Sequence, residues 1–492
     1  MGVSRSACVI GAGIAGIASA IRLANKGYQV DVFEANAYPG GKLSEIEQDG
    51  YRFDAGPSLF TLPELVEELF ELSGERAEDH FQYQRLPVNC HYFYEDGTFL
   101  EAFADPKDFA REVAQKTNES SETIEQALQH SAFLYDRLAE LFMKRSLHRW
   151  QTFVNRQALR SYLSLHRLDF FRTMYRANAQ RFSDPRVVQL FNRYATYNGS
   201  NPYQTPATMN IIPHLEFNIG AYFPNQGMYS ITTSLWQLAQ RLGVTFHFGA
   251  KVEEILLAGN KVKGIRMNGE KRTADVVVSN MDVVSTYRRL LPNVAPPTRL
   301  LKQPKSSSAL IFYWGIGRTF PQLDLHNIFF SQDYRAEFEH IFQHRDIYVD
   351  PTVYLNITAK YKPNDAPPGH ENWFTMINVP NNSGQDWEAL IDQARERITA
   401  KLSRMLDTDV ASLITSESIL DPRGIESKTS SSQGALYGNS SNNRYAAFLR
   451  HANFSRKFKG LYFCGGSVHP GGGIPLSLLS AKIMADQVPA CG

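Results

Sequence analysis

The chain has 492 residues, of which 43% are hydrophobic and 21% charged, and its formal net charge is +1. That length exceeds what one hydrophobic core organises, so two or more domains are expected, and the charge balance excludes a protein that coats a polyanion over its whole surface. The four cysteines, Cys8, Cys90, Cys464 and Cys491, show no CxxC or zinc-type spacing; this argues against a disulfide scaffold and a metal site, and their scarcity suits a reducing compartment.

Residues 7–24, ACVIGAGIAGIASAIRLA, are apolar, rich in small side chains and preceded by Arg5, the outline of a signal peptide. The opening MGVSRS also fits a loose myristoylation pattern through Gly2 and Ser6. The glycine spacing accounts for the segment better. Gly11, Gly13 and Gly16 form GxGxxG directly after an apolar strand, a helix follows with Ala15 in its first turn, and a second strand, QVDVFE, ends on Glu34. Glycines permit a tight turn and close approach of backbone to a pyrophosphate, the helix N-terminus offers amide donors, and the acid accepts bonds from ribose hydroxyls. An ordinary tight turn is the competing reading, and the complete strand, turn, helix, strand and acid context weighs against it. Elsewhere nothing approaches the ~18 uncharged apolar residues of a spanning helix.

The chain continues with EANAYPGGKLSEIEQDGYRFDAGPSLF, residues 34–60. It adds a glycine pair, Gly40 and Gly41, then Lys42, a short hairpin and a turn at 54–57, where a nicotinamide dehydrogenase continues with βα units. This arrangement resembles the flavin-dependent amine oxidase and phytoene desaturase superfamily, and the resemblance implies FAD. Lys42 is then a point charge near the pyrophosphate, against the alternative of an exposed turn lysine. The same resemblance brings the backbone of Ser58 and Leu59 near the flavin ring.

Residues 88–103, VNCHYFYEDGTFLEAF, alternate aromatic and polar positions around Asp96-Gly97, the pattern of a β-hairpin. A long helical stretch is expected from about 106 to 193. Between Lys144 and Arg193 eleven basic residues face two acids, Asp169 and Asp184. On one continuous helix Arg145, Arg149, Arg156, Arg160 and Arg167 share a face opposite Leu147, Trp150, Val154, Ala158 and Leu165. A solvated basic face and docking on an anionic membrane both fit this pattern; nucleic acid is disfavoured because no recognised binding module accompanies the charge. From 243 to 281 strands return, with turns at Gly259-Asn260 and Asn268-Gly269 and an apolar strand over 276–278. By the resemblance, the backbone of Val252 meets adenine there and Asn280 closes the site.

The end of the chain, LYFCGGSVHPGGGIPLSLLSAK, residues 461–482, resembles the carotenoid desaturase signature, as do RFDAGPSLF, NGSNPYQTPA, AYFPNQGMYSI and VVVSNMDVVSTYRRLL in the same order. The implied fold is mixed α/β (α+β), with a discontinuous Rossmann-like FAD-binding domain over 1–85, 225–290 and 455–492. A substrate domain over 86–105 and 291–454 and a mainly helical, membrane-associated region over 106–224 complete it. The implied second half of the FAD site has Gly465, Gly466 and Ser467 against the pyrophosphate or ribityl chain, with Ile474, Pro475 and Leu476 against the ring. Cys464-Gly465-Gly466-Ser467 in place of the usual Gly-Ala-Gly-Thr, together with Gly472 and Leu476, resembles the hydroxycarotenoid 3,4-desaturase branch.

The implied activity is desaturation of a long carotenoid, most simply 3,4-desaturation of a 1-hydroxycarotenoid, by a cytoplasmic protein resting on a membrane. Phytoene desaturation, carotene isomerisation and a non-catalytic lipid carrier resembling Rab GDP-dissociation inhibitors are the alternatives. Desaturation with a flavin hydride acceptor asks little of side chains. The candidate polar participants are Glu216, Arg160 and His469. Glu216 is open to proton transfer or to ion pairing, and His469 to proton transfer or to packing of its loop. Gln157 stands where phytoene desaturases carry the Asp of an Asp-x-x-Arg pair, which undercuts an acid–base role for Arg160. Nothing in the sequence fixes the oligomeric state.

Overall fold

A computed structural model describes residues 5–164, 168–443, 445 and 450–491. A five-stranded parallel sheet carries the strands Leu461–Phe463, Val276–Ser279, Ser6–Ile10, Gln29–Phe33 and Thr245–His247 in that spatial order. It is covered on both faces, as the near-continuous apolar strands require. Alternation sorts the side chains: Ala7, Val9 and Val278 pack with the helices Ile14–Ala24 and Ile474–Ala485, whereas Cys8, Ile10 and Val277 pack with the antiparallel strands Val252–Ala258 and Lys261–Met267. The strand from the end of the chain pairs with Val276–Ser279, so it stands one strand away from the N-terminal strand.

A seven-stranded mixed sheet is built from Ile414–Leu420, Ser308–Ile316, Glu371–Val379, Val353–Asn356, His326–Phe329, Val88–Phe93 and Phe99–Phe103 in spatial order. The expected hairpin at 88–103 forms and pairs in parallel with His326–Phe329. Strand Ser308–Ile316 is buried throughout. Leu310, Phe312, Trp314 and Ile316 back onto the long helix Trp387–Met405, while Ala309 and Ile311 face a large internal cavity.

The helical region differs from the sequence expectation. No single helix runs through 144–163. Helix Ser121–Phe142 ends at Met143, a short 3-10 turn covers Trp150–Phe153, and a new helix, Arg156–Leu163, starts where Asn155 Oδ1 accepts the Ala158 N–H at 2.9 Å. Capping at Asn155 satisfies an end that a continuous helix does not have, so the two-faced arrangement of arginines does not form. Leu147 and Ala158 are buried, whereas Trp150 and Val154 are exposed beside Arg156 and Arg160. Gly2, Leu165 and Arg167 lie outside the described residues. No helix among the described residues is long and apolar enough to cross a membrane.

Candidate functional site

One cavity of about 1390 Å³ runs between the two sheets, more than the ~300–1,000 Å³ of an ordinary single-ligand site. At one end Gly11, Gly13 and Ala15 line it, and helix Ile14–Ala24 begins there without a side-chain cap, leaving first-turn amides facing the space. Gly16 lies behind this turn. A Cβ on it stands 2.0 Å from the Gly11 carbonyl oxygen, so only glycine lets helix and turn close. Glu34 also faces the cavity; its Oε2 accepts the Ala12 N–H at 2.7 Å and its Oε1 accepts the Asn36 N–H at 2.8 Å.

Asn280 joins the two glycine loops. A Cβ on Gly13 stands 2.7 Å from its Oδ1, and one on Gly465 stands 2.6 Å from its Nδ2. Val252, Gly466 and Ser467 line the same end, with the Ser467 hydroxyl accepting the Val283 N–H at 2.9 Å. Gly41 and Lys42 line it as well, but the Lys42 ammonium is committed to protein carbonyls, donating to Leu436 O at 2.8 Å. Its surroundings strip it of water and push its pKa down to about 8, against a smaller opposing pull from Asp282. Arg450 is a further cation here, found by structure and not by motif. It donates to Tyr437 O at 3.1 Å and to Gly466 O at 3.3 Å, and burial lowers it to about 10.

Ser58 and Leu59 line the middle of the cavity together with Ile474, Pro475 and Leu476. Their loop is pinned from both sides. Asp54 accepts the Met228 and Tyr229 amides at 2.8 and 3.1 Å and an Arg52 bond at 2.8 Å, while the Tyr313 hydroxyl donates to Ala55 O at 2.7 Å. Beyond them the walls turn apolar: Leu138, Phe142, Phe170, Met209, Ile212 and Leu215 extend the space into the helical region.

None of the three catalytic candidates lines this cavity. Arg160 is exposed on its own short helix, and the side chain of its partner position, Gln157, lies outside the described set. His469 is buried against the 145–148 turn, its Nε2 donating to Arg145 O at 2.8 Å, and burial lowers its pKa to about 4; packing is the reading its surroundings support. Glu216 is buried behind the wall, accepting from the Tyr194 hydroxyl at 2.7 Å, from Tyr197 and from Arg193 Nη2 at 3.3 Å. Ion pairing and hydrogen bonding account for it. The polar groups that do reach the cavity from this cluster are Asn89, Arg193, Tyr197, His326 and Tyr354. Asn89 and His326 sit in the strand sequences VNCHYF and LHNIFF, and Arg193, at the end of the basic stretch, meets them only in the folded chain. Among the described residues no cluster of His, Cys, Asp or Glu suits a metal.

Uncapped helix amides, two glycine loops, an acid at the end of the second strand and a continuous apolar extension define a dinucleotide-dependent enzyme for a long apolar substrate. Over residues 14–489 the chain matches the flavin containing amine oxidoreductases, and it belongs to that family. A 1-hydroxycarotenoid 3,4-desaturase of Flavobacterium sp. (strain P99-3) is 53% identical over 485 residues, covering 99% of each chain. A 4,4'-diapolycopene oxygenase of Methylomonas sp. is 33% identical over 491 residues, 98% of this chain and 97% of the relative. Putrescine oxidase bound to putrescine shares the fold, with a TM-score of 0.62 at 15% identity and 98% of both chains covered. The protein is a flavin-dependent oxidoreductase, and FAD is the cofactor its glycine-lined end accommodates.

Proposed function

We propose that the chain is a carotenoid desaturase that introduces a C=C bond between C3 and C4 of a 1-hydroxycarotenoid. The observation that carries this reading is the continuity of the dinucleotide end and the apolar extension in one cavity, supported by the 53% identical desaturase. A non-catalytic lipid carrier is disfavoured by the intact dinucleotide end.

When bound, FAD supplies a hydride acceptor, and the companion proton leaves to solvent or to a base. Binding and orientation are the protein's share. Gly13 and Ala15 would present amides to the pyrophosphate and Glu34 a carboxylate to ribose hydroxyls, while Gly11, whose own N–H donates to Phe33 O at 2.8 Å, makes the turn at φ +96°; the 56–59 and 474–476 segments would stand where the ring and the reacting carbons meet. Phe142, Phe170, Met209 and Ile212 hold the polyene and keep water out, and a carbon beside a polyene loses hydride readily because the developing charge spreads along the chain. The test is incubation of purified FAD-loaded protein with a 1-hydroxycarotenoid and, separately, with phytoene. A product with a longer conjugated system from the hydroxycarotenoid alone supports the reading; conversion of phytoene alone overturns it.

The exposed apolar side chains of the helical region point to the setting. Trp150, Leu163 and Phe171 are 71%, 72% and 88% exposed, near exposed Val154 and Leu159 and the cations Arg156 and Arg160. Such a mixture suits the interface of an anionic membrane, from which an apolar substrate enters. We infer a cytoplasmic, peripherally bound enzyme; its described cysteines are free thiols, as a reducing compartment maintains.

A further inference from the structure

Three side chains that line the cavity, Asn89, Arg193 and His326, are only 2%, 5% and 4% exposed. Each holds a buried polar atom without a hydrogen-bond partner among the described residues: Asn89 Oδ1, Arg193 Nε and His326 Nε2. Buried donors and acceptors are rarely left unpaired in a folded protein, so three at one wall point to a ligand that pairs them.

The remaining atoms of these side chains fix the character of the unpaired ones. Asn89 Nδ2 donates to Glu216 O at 3.3 Å, which leaves Oδ1 as an acceptor. Arg193 Nη2 reaches Glu216 Oε2 at 3.3 Å and Nη1 reaches the Tyr197 hydroxyl at 3.0 Å, which leaves the Nε–H. His326 Nδ1 lies 2.8 Å from the Tyr354 hydroxyl and 3.2 Å from Asn356 Nδ2. An amide nitrogen only donates, so Nδ1 accepts and Nε2 carries the hydrogen. Burial, with a smaller push from the Arg193 charge, lowers this imidazole to about 3 and keeps it neutral. The free set is therefore two donors and one acceptor. A carbonyl or ether oxygen only accepts and leaves Asn89 Oδ1 unpaired, whereas an alcohol accepts and donates.

We propose that Asn89, Arg193 and His326 form a receptor for the hydroxyl group at the substrate end that is oxidised, and so select a hydroxylated polyene over its unhydroxylated counterpart. The proposal rests on the reading of the cavity as a carotenoid site. Its placement fits the regiochemistry. The Ser58 hydroxyl lies 2.6 Å from the Tyr354 hydroxyl, tying the receptor to the loop beside Pro57 and Leu59. A hydroxyl on C1 lies within about 5 Å, a few covalent bonds, of C3 and C4. Anchoring it next to that loop therefore decides which carbons are presented. The strands of Asn89 and His326 lie side by side in parallel, with Asn327 opposite His91, and the register shift between Val88 and His91 breaks the alternation there, so that Asn89 and Cys90 both line the cavity with His326.

The test titrates FAD-loaded, full-length protein with a 1-hydroxycarotenoid and with the same chain lacking the hydroxyl, read by flavin fluorescence, for the wild type, Asn89→Leu and His326→Leu. The wild type is expected to bind the hydroxylated chain about tenfold or more tightly. Each variant is expected to lose most of that preference while keeping its affinity for the unhydroxylated chain, and His326→Gln, which retains a donor, to keep part of it. Equal wild-type affinity for the two ligands overturns the receptor and leaves the desaturase reading standing, whereas binding of neither overturns both. A variant that retains flavin and the full preference also overturns the receptor. For a variant that loses flavin, the wild-type comparison decides.

Discussion

Asn280 Nδ2 stands 2.6 Å from the point a Cβ on Gly465 would occupy, and the same side chain donates to Cys464 O at 3.4 Å. Its Oδ1 faces Gly13 in the N-terminal loop. One amide side chain thus locks the two halves of the cofactor end together, although they come from opposite ends of the chain. Gly465 has φ +100° and Gly13 has no room for a methyl group. Gly465→Ala and Gly13→Ala are therefore expected to destabilise the fold by roughly 1–3 kcal/mol and to purify with little flavin. Gly243→Ala, at φ +81° in open space, is expected to cost about 1 kcal/mol and keep its flavin. The flavin-to-protein absorbance ratio and the melting temperature separate these outcomes.

Glu34 supports the N-terminal loop as well as facing the cavity. Glu34→Ala removes the acceptor of the buried Ala12 N–H, a loss of about 1–3 kcal/mol. Glu34→Gln keeps an oxygen there and is expected to retain most of the stability. Both are expected to weaken FAD binding, measured by the flavin released on dilution. Unchanged FAD affinity in both assigns Glu34 to the loop alone.

Three buried imidazoles set an acid limit. Burial lowers His326 to about 3 and His451 and His469 to about 4, from an ordinary 6.5. The unfolded chain binds more protons than the native one between these values, so stability is flat above about pH 6.5 and falls as pH drops toward 4, by at most roughly 1.4 kcal/mol per histidine per pH unit. Urea midpoints at pH 7.5, 6 and 5 are expected to fall in that order. His469→Gln is expected to reduce the slope below pH 6.5.

Leu159→Glu with Leu163→Glu places two anions among exposed apolar side chains. Binding to vesicles containing anionic lipid is expected to drop several-fold, with flavin content and melting temperature unchanged because neither leucine is buried. Arg156→Gln with Arg160→Gln is expected to weaken binding less and to reduce its salt dependence. Undiminished co-sedimentation of both double variants contradicts the membrane setting.

The cofactor end was legible in the sequence because glycine spacing reports backbone geometry directly. Gly11 and Gly465 hold left-handed turns, Gly13 and Gly16 leave no room for a Cβ, and the flanking strands follow from apolar runs. The 144–163 region misled because a helical wheel presumes continuity. Asn155 stood three residues before Ala158 as a visible cap signal, and the stretch 168–193 held two more, Thr173 and Asp184-Pro185. Lys42 lines the cavity, and the Ala435 and Leu436 carbonyls that its ammonium bonds lie too far off in sequence for any motif to show them. Glu216 and Arg193 likewise became an ion pair only through folding. The wall formed by Asn89 and His326 depends on strand pairing that no local pattern reveals.

The most direct measurement is an oxygen-free single turnover of the FAD-loaded protein with one equivalent of a 1-hydroxycarotenoid, followed by mass and absorption analysis of the pigment. The expected result is a product lighter by H₂, with a new double bond between C3 and C4, formed in step with flavin reduction. Recovery of unchanged pigment, or of an isomer of the same mass, with the flavin still oxidised contradicts it.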